Sequence, residues 1–179
     1  RIIVSTDSHE IASVASRYDV EVHFRPAELA LDTTPTLPVL NYVVDSLKDE
    51  GYDVDSVCTL QPTSPLRTTE HIDQAISLFN SCPEADSLVS CVQVPHNFVP
   101  SSLMSITEHN LLIPHLNNGF QNILRRQDKP LLYARNGAAI YITRRERLRD
   151  FIFGGNCVPF LMNERDSVDI DSYHDLALA

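Results

Sequence analysis

Two carboxylates one residue apart open the chemistry of this sequence: Asp169 and Asp171 in Ser167-Val168-Asp169-Ile170-Asp171. With apolar residues at 168 and 170, a strand here would place both acids on one side. That is a natural seat for Mg²⁺, which takes one or two carboxylates and completes its shell with water and substrate phosphates. The competing reading is a helix cap, with Asp171 or Ser172 opening the last helix and Asp169 solvated. A second candidate is Gln61-Pro62-Thr63-Ser64-Pro65-Leu66-Arg67. Two prolines stiffen it, Gln61, Thr63, Ser64 and Arg67 offer donors, and the following helix brings an anion-friendly N-terminus. A rigid loop whose hydroxyls merely cap that helix accounts for it equally well.

Positive charge is concentrated. Eight of the fourteen Lys and Arg residues fall between positions 125 and 149. Arg125-Arg126-Gln127-Asp128-Lys129, followed by Arg135 and Asn136-Gly137, suits an anionic ligand, with Arg126 making a bidentate contact to carboxylate or phosphate. Arg144, Arg145, Arg147 and Arg149 read instead as the solvated face of a helix. The stretch Arg25-Pro26-Ala27-Glu28-Leu29-Ala30-Leu31-Asp32-Thr33-Thr34-Pro35-Thr36 enters a helix with Thr36 as its N-cap. Capping explains one threonine, not three together with an arginine and two acids. His96 has no Ser or Cys nucleophile at a readable spacing, so no triad is drawn. The five glycines form neither a dinucleotide fingerprint nor a Walker loop.

The elements that must carry these residues alternate. Strands are expected at Ile2–Ser5, Val20–Phe24, Ser56–Leu60 and Ser87–Val94. A helix opened by an Asp7-x-x-Glu10 capping box shows Ile11, Val14, Ala15 and Tyr18 on one face. A second carries Leu40, Val43, Val44 and Leu47 and closes at Gly51. A third presents Ile72, Ala75, Ile76 and Phe79. This rhythm implies right-handed crossovers and a mainly parallel sheet. It breaks between Pro95 and Pro130, where Asn117-Asn118-Gly119 and the basic cluster replace clean periodicity, as in a lid or dimerisation arm. A strand at Gly137–Thr143, a charged helix from Arg144, a strand at Cys157–Met162 and a helix from Ser172 complete the pattern. The expectation is one α/β domain over residues 1–179 with an irregular arm at about 95–130.

Composition bounds the function. The chain has 179 residues, 43% hydrophobic and 21% charged, enough for a packed core without staples. A net charge of −10 argues against general nucleic-acid binding, which needs a basic face. No apolar run approaches a membrane span and no signal peptide opens the chain. Cys58, Cys82, Cys91 and Cys157 form no C-x-x-C pair and read as buried thiols of a cytoplasmic protein. Arg1-Ile2-Ile3-Val4 reads as the middle of a domain.

Five segments together resemble the CMP-N-acetylneuraminate synthetase family. They are Ile3-Val4-Ser5-Thr6-Asp7, Arg25-Pro26-Ala27-Glu28-Leu29-Ala30, Leu60 to Arg67, Asn136-Gly137-Ala138 and Ser167 to Asp171, in the family's order across nearly the whole chain. The resemblance implies a Rossmann-like, three-layer nucleotidyltransferase fold, usually dimeric, with an arm reaching toward the partner's site. It implies that a sugar's anomeric hydroxyl attacks the α-phosphate of CTP, with pyrophosphate leaving and Mg²⁺ offsetting charge. Residue by residue, it places Gln61 by the sugar, Asn136 by the substrate, Arg126 on the sugar carboxylate, and Arg25 and Thr36 near the nucleotide. Asp169 and Asp171 are implied to hold the metal and to be catalytic through it. The family's opening strand and triphosphate loop precede the first matched segment, so residues 1–179 by themselves are expected not to form product at a useful rate. Phe98-Val99-Pro100 stands where some members carry a lysine for the sugar carboxylate, and Asn136-Gly137 is followed by one residue more than is common, leaving the sugar open among sialic, legionaminic, pseudaminic and 3-deoxy-octulosonic acids. Two alternatives stand beside this: a catalytically inactive sugar-nucleotide-binding or dimerisation remnant, and a metal-dependent phosphatase built on Asp7. The second is disfavoured by His at position 9.

Overall fold

A computed structural model describes residues 1–116, 123, 125–137 and 139–179. Asn117-Asn118-Gly119 and Ala138 of the N-G-A motif lie outside them. Its strands are β1 (Ile3–Thr6), β2 (Glu21–Phe24), β3 (Ser56–Thr59), β4 (Ser87–Gln93), β5 (Met104–Ile106), β6 (Leu112–Pro114), β7 (Tyr133–Arg135), β8 (Tyr141–Arg144) and β9 (Cys157–Leu161). Its α-helices are α1 (His9–Ala15), α2 (Thr36–Asp49), α3 (Thr69–Asn80) and α4 (Tyr173–Leu178). The chain forms two compact units: Arg1–Thr59, Phe79–Leu88 and Tyr141–Val158 make the first; Leu60–Leu78, Val89–Ile140 and Pro159–Ala179 make the second.

In the first unit β1 and β2 pair in parallel, Ile3 opposite Glu21 and Thr6 opposite Phe24, with α1 crossing between them. Ser8, not Asp7, caps that helix: Thr6 Oγ1 accepts from Ser8 N at 3.1 Å, and Ser8 Oγ accepts from Ile11 N at 3.4 Å. The expected apolar face is also displaced. Ala12 and Ala15 are buried, whereas Ile11 and Val14 are 53% and 50% exposed and Tyr18 lies beyond the helix in a 3-10 turn. Small side chains bring this short helix close to its surroundings; the larger residues sit one position round. Helix α2 buries Val39, Val44 and Leu47. Its N-cap position is Pro35, so Thr36 is the first helical residue and not the cap expected. Gly51, at φ +80°, closes it as the spacing predicts: Gly51 N donates to Lys48 O and Tyr52 N to Leu47 O, both at 2.9 Å.

Strand β3 pairs antiparallel with β8, Ser56 opposite Arg144 and Thr59 opposite Tyr141. The helix expected from Arg144 does not form. Residues 145–150 are turns, in which Leu148 N reaches the carbonyls of Arg144 and Arg145 at 3.2 and 3.3 Å. Arg149 is exposed, as a solvated face requires, but Arg144, Arg145 and Arg147 have partners. Arg144 Nε donates to Ala85 O at 3.0 Å and its guanidinium lies 4.7 Å from the Phe79 ring centroid. Arg145 pairs with Asp45 at 3.1 Å and Arg147 with Asp86 at 2.7 Å. Each of these side chains is drawn back to a carbonyl, ring or carboxylate of its own unit, which sequence periodicity does not register.

In the second unit β4 pairs antiparallel with β7, Cys91 opposite Arg135 and Gln93 opposite Tyr133. Met162 N donates to Cys91 O at 2.9 Å on the chain following β9. Strands β5 and β6 make an antiparallel hairpin, Met104 opposite Pro114. Ala75, Cys91, Val99, Ala139, Ile140, Phe160 and Met162 are buried. The pair β1–β2 is parallel, and β3–β8, β4–β7 and β5–β6 are antiparallel, where a mainly parallel arrangement is expected. Parallel pairing arises where a helix crosses between neighbouring strands, as α1 does between β1 and β2. The fold class is nonetheless α/β. Of the cysteines only Cys91 is buried; Cys58 and Cys82 are half-buried and Cys157 is exposed, against the expectation of buried thiols. No helix among the described residues is long and apolar enough to cross a membrane.

Candidate functional site

The second unit gathers most of the chemistry. The loop Gln61–Arg67 folds back on itself because Arg67 Nη1 donates to Gln61 O at 3.2 Å and to Ala139 O at 2.6 Å. Arg67 thus braces the loop through Nη1. Helix α3 is capped from outside the loop: Thr68 Oγ1 accepts from His71 N at 3.3 Å, and His71 Nδ1 accepts from Thr68 N at 3.1 Å. This reciprocal cap leaves the hydroxyls of Thr63 and Ser64 out of the capping role. Ser64 is fully buried and its Oγ has no hydrogen-bond partner. Gln61 is half-buried at the loop's start.

The loop is tied to the acidic segment by one backbone bond, Ile170 N to Thr63 O at 2.8 Å. That segment is not the strand expected. A 3-10 turn at Arg165–Ser167 runs into irregular chain, so the same-side argument for the two acids lacks its premise. The capping alternative goes to Ser172, whose Oγ accepts from Asp175 N at 3.3 Å. The Ser172 hydroxyl donates in turn to Asp175 at 2.6 Å and, with backbone N–H groups, holds its carboxyl below the usual range. Asp171 is exposed, its backbone N donating to Asp175 Oδ2 at 3.2 Å, while Asp169 is half-buried.

Asn136 and Gly137 face this segment. Asn136 is 5% exposed, and its Nδ2 donates to Ser167 Oγ at 2.9 Å and to Met162 Sδ at 3.3 Å. Gly137 holds φ +68°, and a Cβ added to it would lie 2.2 Å from Asp169 Oδ2. The carboxylate thus occupies the space that any other residue at 137 would fill. Two acceptors here are buried without hydrogen bonds: Asn136 Oδ1 and Asp169 Oδ1. A buried unsatisfied carboxylate oxygen is costly, and it fits a role toward a cation or a ligand donor. Among the described residues no group of three or more His, Cys, Asp or Glu could hold a metal ion. A cation here would rest on a pair of carboxylates and on oxygens of substrate and water.

Next to Asn136 lies a cavity of about 820 Å³, lined among others by Gln93, His96, Arg126, Lys129, Met162 and Glu164. Met162 belongs to both the cavity wall and the Asn136 contact. Lys129 is a brace, donating to His96 O at 3.1 Å and to Ser102 Oγ at 2.6 Å. Arg126 opens a 3-10 turn with its side chain exposed. Of the residues singled out by sequence, the second unit therefore holds Gln61, Arg126, Asn136, Asp169 and Asp171. The first holds Arg25 and Thr36. Arg25 N donates to Thr6 O at 3.0 Å, its guanidinium stands 3.5 Å from Asp7, and its Nε is buried without a partner.

Sequence reasoning missed a second network. His71 Nε2 stands 3.5 Å from Asp166 Oδ2, and Asp166 is bonded to Asn163 through backbone and side chain at 3.0 and 2.5 Å. His71 at the third helical position after Thr68 was the one available signal.

Residues 1–151 match the family described as cytidylyltransferase. The post-translational flagellin modification protein B of Campylobacter coli is 33% identical over 99% of this chain and 74% of that protein. The CMP-N,N'-diacetyllegionaminic acid synthase of Legionella pneumophila is 35% identical, over 99% of this chain and 75% of its own length. The N-acylneuraminate cytidylyltransferase of Escherichia coli O18:K1:H7 is 26% identical over the whole of this chain, which spans 41% of that longer protein. Among solved structures, CMP:2-keto-3-deoxy-manno-octonic acid synthetase complexed with CTP superposes with a TM-score of 0.58 at 12% identity, over 91% of this chain and 72% of that one. At that identity the likeness establishes a shared nucleotidyltransferase fold.

Proposed function

The chain belongs to the cytidylyltransferase family, and from that premise we propose that it activates a sialic-acid-like keto-acid sugar with CTP. The sugar's anomeric oxygen bonds to the α-phosphorus of CTP, the bond from that phosphorus to the bridging oxygen of the β-phosphate breaks, and the hydroxyl proton passes to solvent or base. The products are the CMP-sugar and pyrophosphate. The observation that carries this reading is the mutual tethering of three separate segments, through Ile170 N to Thr63 O and Asn136 Nδ2 to Ser167 Oγ. They bury two unsatisfied acceptors, and Asn136 touches Met162, which shares with Arg126 the wall of the cavity.

In this reading Arg126 takes the sugar carboxylate, a charge-assisted contact worth roughly 1.5–3 kcal/mol. Gln61 and Asn136 orient the sugar, and Arg25 and Thr36 serve the nucleotide. Orientation matters because phosphoryl transfer is mostly positioning and charge stabilisation. Asp169 and Asp171 would hold Mg²⁺, which when bound neutralises charge on the phosphates. Residues 1–179 are treated as one cytidylyltransferase-like domain, since both units are assembled from interleaved stretches of chain. The arm at about 95–130 packs against a second copy: its hairpin exposes Ile106 at 71% and Leu112 at 64%, apolar surface that suits an interface. The enzyme works in the cytoplasm, and neither nucleic acid nor membrane is a partner.

The phosphatase alternative lacks support, since position 9 is a histidine that begins α1 and Asp7 stands beside Arg25. The test is pyrophosphate release by the full-length protein carrying residues 1–179, with CTP and a panel of sugars. Release with N-acetylneuraminate, N,N'-diacetyllegionaminate or 3-deoxy-octulosonate, and not with neutral hexoses, is expected. Arg126→Ala should raise the KM for the acid about 10- to 100-fold and leave that for CTP nearly unchanged. Release with neutral sugars, or equal damage to both substrates, would remove Arg126 from the carboxylate.

A further inference from the structure

We propose that Ser167 is a positioning residue that locks the Asn136 side-chain amide so that its carbonyl oxygen is turned toward the bound sugar as a hydrogen-bond acceptor. The direction of the amide follows from donor and acceptor chemistry alone. Asn163 O can only accept, and Ser167 Oγ approaches it at 2.6 Å, so the single hydroxyl proton of Ser167 is committed there. What Ser167 then offers Asn136 at 2.9 Å is a lone pair. The other neighbour, Met162 Sδ at 3.3 Å, is also acceptor-only. Both therefore require the NH₂ end of Asn136, and its Oδ1 must point away from them. There it is buried with no partner. Asp169, whose carboxylate lies against the adjacent Gly137, carries a second buried oxygen without a partner. The Asp169 oxygen is left to the cation; Asn136 Oδ1 awaits a donor, and the hydroxyl and amide N–H groups of a polyol sugar are donors.

The lock is itself braced. Asn163 Oδ1 accepts from Asp166 N at 3.0 Å, and Asp166 Oδ2 lies 3.5 Å from His71 Nε2. Because His71 Nδ1 accepts from Thr68 N, the proton of the neutral ring sits on Nε2, toward Asp166. The turn that presents Ser167 is thereby joined to the first turn of α3. Ser167 touches no substrate in this account; it acts through Asn136.

The inference rests on the sugar-activating reading, so its test has one arm that does not depend on a sugar. In ¹⁵N-labelled protein, the Asn136 side-chain N–H groups should exchange with solvent about 10-fold faster in Ser167→Ala than in wild type, while Ser167→Thr keeps the protection. Ser167→Gly serves as a second hydroxyl-free variant should alanine compromise folding, and melting curves accompany each. Calorimetry with N-acetylneuraminate in the presence of CTP is the second arm. Binding should weaken about 5- to 10-fold in Ser167→Ala, CTP affinity should stay within about two-fold, and the Asn136→Ala, Ser167→Ala double variant should bind no more weakly than Asn136→Ala alone. Unchanged exchange in the hydroxyl-free variants, or additive losses in the double variant, would overturn the proposal. Loss of protection without sugar binding to wild type would overturn the sugar reading, and with it the ligand assigned to Asn136.

Discussion

Asp169 is held where it is by what residue 137 lacks. Gly137 sits at φ +68° with the carboxylate in the space of a Cβ, so Gly137→Ala meets both backbone strain and a collision. It should cost roughly 1 kcal/mol or more in stability and displace Asp169. Asp169→Asn separates the two effects: it keeps the shape and removes the charge, so the fold should melt at or slightly above the wild-type temperature. Both variants should lose Mn²⁺ binding, read by the water-relaxation enhancement of the ion. Retention of that binding in Asp169→Asn would remove the residue from the cation seat. The residues named here were legible as types and spacings, since Asn136-Gly137 and the paired acids stand out in the sequence. Their arrangement was not. The same-side geometry was inferred from a strand, and the chain instead leaves a 3-10 turn and is fixed by Ile170 N to Thr63 O. Arg67, read as a ligand donor, closes its own loop. No local pattern distinguishes an arginine that meets a ligand from one that meets a carbonyl 72 residues away.

At the scale of elements, the hinge of the first unit's late turns is Asp86. Its carboxylate accepts from Asn156 N at 2.8 Å and from Arg147 at 2.7 Å. These contacts, the backbone one foremost, hold its pKa below the ordinary carboxylate value. A depressed folded-state pKa means stability that is fully present above the unfolded carboxylate's pKa and is lost as pH falls through the folded value. Asp86→Asn should therefore lower the melting temperature near neutral pH, and the gap to wild type should close as the solution is acidified below about pH 4. A gap independent of pH would mean that the residue acts by packing alone. The stop of α2 was readable because Gly51 supplies the left-handed closure the spacing asks for, and Val44 and Leu47 of the expected stripe are buried. The charged run after β8 misled because its helical spacing competes with Arg144, Arg145 and Arg147 finding partners in their own unit. The short α1 misled because two turns admit more than one apolar stripe, and alanines took the inside.

For the whole molecule, an acidic chain of net charge −10 that binds two anions must place its scarce cations locally, and the proposal rests that task on the basic stretch around Arg126. The break in rhythm between Pro95 and Pro130 was legible as an interruption, and the β5–β6 hairpin is what fills part of it. If that hairpin is the dimer contact, Ile106→Glu with Leu112→Glu should shift the protein from dimer to monomer in sedimentation while leaving its circular dichroism intact; a dimer that persists would place the interface elsewhere. The central claim is cytidylyl transfer to a keto-acid sugar, and ³¹P NMR of the full-length protein with CTP, Mg²⁺ and a nonulosonic acid tests it most directly. The account predicts that the CTP resonances give way to one phosphodiester signal of a CMP-sugar and an equal amount of pyrophosphate. Orthophosphate without a CMP-sugar, or bound substrates with no change in the spectrum, would contradict it.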